Sequence, residues 1–77
     1  MTEPELFDVI ELLVDLPAFN LRVRERGAIV EDFGDGKYEL EFTNQDGETL
    51  ALCPLKAEQF IIVWKAKKKQ WLSERSK

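Results

Sequence analysis

At 77 residues the chain has room for one domain and little interior for a deep substrate pocket, because a chain this short buries only about 60% of the surface its unfolded form exposes. A hydrophobic fraction of 44%, with five Phe and two Trp, excludes a disordered polar chain. The net charge of −4 is unevenly placed: residues 1–64 hold five Lys or Arg against fourteen Asp or Glu, while residues 65–77 hold six against one. An acidic body repels phosphate backbones and counts against nucleic-acid binding, which leaves only the tail to reach one.

Between Asp8 and Leu16, the apolar residues Ile10, Leu12, Val14 and Leu16 recur at spacing two, with Glu11 and Asp15 on the other face. That period predicts a strand. A helix from Glu3 to Leu16 is the rival reading, since Leu6, Ile10, Leu13 and Val14 also fit a helical stripe. Residues 17–27 read as a long excursion closed by Gly27, and Gly27 to Phe33 as a short strand. Gly34, Asp35 and Gly36 signal a turn. In Lys37 to Thr43, Tyr38, Leu40 and Phe42 alternate with Glu39 and Glu41, the cleanest strand pattern in the chain. Asn44 to Gly47 forms a second turn signal with an Asp-Gly pair. The next strand, Glu48 to Cys53, is expected to point Leu50 and Leu52 inward and Cys53 outward. Residues 54–59 suit a single 3₁₀ turn, and Phe60 to Trp64 an apolar closing strand.

These elements predict a mainly β fold: a small five-stranded SH3-like barrel with a long first loop, a 3₁₀ turn before the last strand and a C-terminal tail suited to a helix. The barrel is expected to span residues 1–64 and the basic tail 65–77.

The stretch Asp8 to Pro17, then Leu21-Arg22, Arg26 to Val30, Tyr38 to Phe42 and Asp46 to Ala51, resembles an uncharacterised family of small bacterial proteins common in cyanobacteria. The resemblance covers roughly residues 5–63. It implies an SH3-type barrel distantly similar to those of translation and transcription factors, in which a strand-turn-glycine element touches RNA or protein. It implies no activity, cofactor or catalytic residue, and the basic tail extends past the family's usual end.

Chemistry has few footholds. The chain has no histidine, which removes the commonest general base and metal ligand together. One cysteine supports neither a disulfide nor a thiolate zinc site. Gly34 and Gly36 lack the following helix of a phosphate-binding loop. Glu39 with Glu41, and Glu31 with Asp32, are expected to be solvated carboxylates on a wet face rather than an acid–base pair. No catalytic residue, cofactor or metal is therefore expected, and the chain is read as a non-enzyme.

Two segments stand out as partner-binding candidates. In the first loop, Phe19 is followed by Arg22, Arg24 and Arg26 at spacing two, which on an extended strand line one side; guanidinium forks suit carboxylates and phosphates. In the tail, Trp64 and Trp71 stand seven apart, on one face of a helix, around the Lys67–Lys69 run. The leading expectation is a protein-interaction module, in one version an antitoxin- or immunity-like partner whose acidic surface masks a basic cleft. The alternative is an RNA- or DNA-binding barrel using the arginine loop and basic tail. A homodimer that covers Phe7, Phe33 and Trp71 is also expected. The region from Met1 to Glu5 lacks the features of a secretory leader, and no apolar run approaches the roughly 18 residues of a membrane span, so the expected place is the cytoplasm without a membrane partner.

Overall fold

Alternating residues form strands, although the first expected run, Ile10 to Leu16, keeps strand pairing only as far as Leu12, with Leu16 in an isolated bridge to Leu21. The structure, a computed structural model, describes residues 3–72. Strands β1 (Val9–Leu12), β2 (Arg26–Asp32), β3 (Lys37–Thr43), β4 (Thr49–Lys56), β5 (Phe60–Lys65) and β6 (Gln70–Trp71) form one sheet. Its spatial order is β4-β3-β2-β1-β5-β6, with every neighbouring pair antiparallel. Two 3₁₀ turns, Pro17–Phe19 and Ala57–Gln59, complete the elements. The second precedes the strand expected to close the sheet.

The turns carry their own explanation. Asp32 accepts a hydrogen bond from the Gly34 N–H at 2.8 Å, and Gly34 and Gly36 take φ of 92° and 86°, a region open to glycine without steric cost. In the next hairpin Asn44, rather than Asp46, organises the turn. Its Oδ1 accepts from the N–H groups of Asp46 and Glu48 at 2.9 and 3.0 Å.

The inward face buries Ile10, Leu12, Ile29, Leu40, Phe42, Cys53, Leu55, Phe60 and Ile62, with Leu21 from the first loop. The sheet curls around them. Tyr38 on β3 meets Phe60 on β5 edge to face across the interior, ring centroids 6.0 Å apart. β4 and β6 remain unpaired edges, so the globule is barrel-like but its sheet is not closed. Pro54 sits on edge strand β4, where a residue without an N–H is tolerated.

Three expectations need correction. There are six strands rather than five, because Gln70–Trp71 pairs with β5; through Leu72 the tail makes a hairpin, not a helix. Residues 73–77 of the expected tail lie outside the described residues. Leu50 and Leu52 are exposed while Cys53 is fully buried. The cause is register: Leu40 stands opposite Cys53 and Phe42 opposite Ala51, so cross-strand partners of the core are the odd-numbered residues of β4. The bulge between Phe42 and Thr43 absorbs Leu50.

Candidate protein-docking face

Register also builds the face opposite the core. Trp71 pairs with Trp64, Trp64 with Val9, Val9 with Ala28, Ala28 with Glu41, and Glu41 with Leu52. One row of side chains thus crosses all six strands on the outer side. Trp71 and Leu52, at its ends, are 55% and 52% exposed, and the residues between them are half-buried. The indole rings of Trp64 and Trp71 lie 6.2 Å apart. The Arg26 guanidinium sits 5.3 Å above the Trp71 ring and 3.2 Å from the Glu11 carboxylate, a cation held between an aromatic face and an anion. Beside the row is an open depression of about 350 Å³ lined by Val9, Arg26, Gly27, Ala28, Glu41 and Thr43.

Of the residues expected to bind a partner, the structure brings Arg26, Trp64 and Trp71 together, on a sheet face rather than a helix face. Phe19, Arg22 and Arg24 lie elsewhere, in the loop between β1 and β2. The arginines do not line one side of a strand: Arg22 and Glu25 close a turn, Arg24 takes φ of 80°, and Arg26 opens β2. That comb is corrected by the backbone itself. Arg22 and Arg24 are exposed and, among the described residues, form no ion pair. Phe19 is exposed in the first 3₁₀ turn and makes no ring contact with the tryptophans. A second depression, of about 260 Å³, lies between Asp15, Pro17, Asn20, Leu21 and Arg22. Asp15 is already engaged there, accepting the Val23 N–H at 2.9 Å.

A buried ion pair escaped the reading of the sequence. Asp8 is fully buried and accepts from Lys65 Nζ at 2.6 Å and from the N–H groups of Glu5 and Ala66, both at 2.9 Å. Lys65 also donates to the Glu3 carbonyl at 2.9 Å and pairs with Glu5 at 3.1 Å. Burial alone lowers the Lys65 pKa, but its hydrogen bonds and charge pairing with Asp8 and Glu5 outweigh that and hold it above its ordinary value. With its buried polar atoms hydrogen-bonded, the pair ties the amino-terminal segment to the β5–β6 hairpin. The signal was an Asp one residue ahead of β1 and a Lys at the end of an apolar run.

Burial, then the nearby Glu39 charge, push the Cys53 thiol above its ordinary pKa, away from nucleophilic thiolate. Among the described residues no group of three His, Cys, Asp or Glu is placed to hold a metal ion, and no helix is long and apolar enough to cross a membrane.

Residues 6–62 match a family described as a domain of unknown function, DUF4926. No curated protein and no solved structure matches the chain.

Proposed function

The chain belongs to the DUF4926 family, and from its outer face we propose that it is a non-catalytic protein-interaction module. The observation that carries this reading is the row from Trp71 to Leu52, a band in which apolar and aromatic side chains flank Glu41 and which the described residues leave open at both ends and half-buried between. Tryptophan and arginine are the residues in which interface energy concentrates, and here Arg26 is held in place by Trp71 and Glu11. A role like that of an antitoxin or immunity protein, in which the acidic body covers a basic cleft, is the concrete version of the reading.

Binding of RNA or DNA has less support. Its arginine set is divided: Arg26 is engaged by Glu11, while Arg22 and Arg24 stand in the first loop, apart from the exposed Lys67–Lys69 turn.

Affinity purification of the tagged protein from its host, beside the Trp71→Ala variant, tests both. The expected result is a protein in near-equal amount that Trp71→Ala loses while keeping its native circular dichroism. A partner retained in full by the variant removes the face from the reading. Nucleic acid released by moderate salt replaces the module with the RNA- or DNA-binding alternative.

A further inference from the structure

Like charges directly opposite one another destabilise an antiparallel pair. Glu31 nevertheless stands opposite Glu39 across β2 and β3, on the outer side, with Glu41 two residues along the same face. Among the described residues none of the three carboxylates has an ion-pair partner; Glu41 accepts only the Thr49 hydroxyl, at 2.6 Å. Lys37 and Lys56 stand opposite each other below Glu39 and neutralise none of them. Arg26 is committed to Glu11 and Trp71. The fold makes no use of this stripe, since Ile29 and Leu40 fill the other side of the same strands.

The stripe adjoins the apolar half of the row and the depression between Val9 and Ala28. We infer that this face receives a basic segment of a partner protein: an apolar side chain enters the depression while neighbouring Lys or Arg residues meet Glu31, Glu39 and Glu41. The inference rests on the docking reading and adds the chemistry of the occupant. Charge complementarity selects that occupant, because three unpaired carboxylates repel a phosphate-bearing ligand and attract a cationic peptide. Apolar contact with the row supplies affinity, and the carboxylates orient the segment.

Both tryptophans of the chain lie on this face, so intrinsic fluorescence reports its occupancy. The probes are three capped peptides, alternating Lys, Gln or Glu with Val, titrated at low salt into the full chain. The Lys–Val peptide is expected to shift the emission saturably, the Gln–Val peptide weakly and the Glu–Val peptide not at all. Glu31→Gln/Glu39→Gln is expected to weaken the Lys–Val peptide about three- to tenfold. The control Asp46→Asn/Glu58→Gln makes the same charge change at exposed sites outside the row and stays within about twofold. Equal weakening by both pairs overturns the inference in favour of diffuse attraction to an acidic protein. Equal binding of the Gln–Val peptide overturns the basic occupant and leaves the docking face standing. An emission shift on raising protein concentration alone makes the occupant a second copy. If no peptide moves the emission, the inference fails, and the Trp71→Ala capture experiment decides the docking reading separately.

Discussion

Gly27 shows how much one missing methyl group decides. It lies opposite Ile10 in the β1–β2 register, and a Cβ there would come within 2.8 Å of the Phe42 ring and 3.0 Å of the Glu41 carbonyl. The backbone is not the constraint, since Gly27 is not among the residues with positive φ. The ring of Phe42 occupies the space. Gly27→Ala is therefore expected to cost about 1–3 kcal/mol by chemical denaturation, as overpacking of a filled core does. In a Phe42→Leu background the same change is expected to cost less, because the clash has been removed; additive costs would place the strain elsewhere. Arg24 makes the complementary point: its φ of 80° ends the extended run that a comb of arginines requires.

At the scale of elements, Asp8 and Lys65 join two segments far apart in sequence. Phe7, just ahead, is 63% exposed and held at φ of 72° while its N–H donates to the Ile29 carbonyl at 2.7 Å. For a bulky residue that backbone conformation is strained. The ladder begins at Val9 on the outer side, so the residue before it must turn inward, and the reversal at Phe7 aims Asp8 at Lys65. Removing one side of such a pair orphans the other. Asp8→Ala is expected to cost about 3–5 kcal/mol, since it leaves the buried ammonium without its closest partner. Asp8→Asn keeps an acceptor and is expected to cost less. Equal denaturation midpoints for wild type and Asp8→Ala would show that the pair does not hold the segments together.

For the molecule as a whole, the perturbed groups act in one direction. Cys53 is raised by burial and Glu39, Tyr38 by burial, Asp32 and Glu3, and Lys65 by the partners that outweigh its burial. A group whose folded pKa exceeds its unfolded value holds its proton more tightly when folded. Its contribution is complete below the unfolded value and is lost as pH rises through the folded one. The ordinary values are 9.0 for Cys53, 10.0 for Tyr38 and 10.5 for Lys65, so stability from these groups is expected to hold through neutral pH and fall on the alkaline side. Thermal melts across pH 8 to 11 check this, with Cys53→Ala removing the earliest loss. A melting temperature that rises over that window would contradict all three shifts.

The strand pattern of Lys37 to Thr43, the two turns and the 3₁₀ turn were legible in the sequence because each is local. Period-two alternation and glycine-rich turns act within a few residues. The mainly β class followed from them. What tertiary structure alone decided is everything set by register. Leucines at 50 and 52 and a cysteine at 53 do not say which side faces the core; Leu40 and Phe42 on β3 do, through their partners Cys53 and Ala51. The spacing of two tryptophans suits a helix in the tail, 65–77, but the pairing of Trp71 with Trp64 makes Gln70–Trp71 an edge strand instead. The outer row as a whole and the Asp8–Lys65 pair join residues distant in sequence, and the opposed glutamates meet through an irregularity in the β2–β3 register. Their positions depend on which strands become neighbours and in what register, and local periodicity carries no information about either.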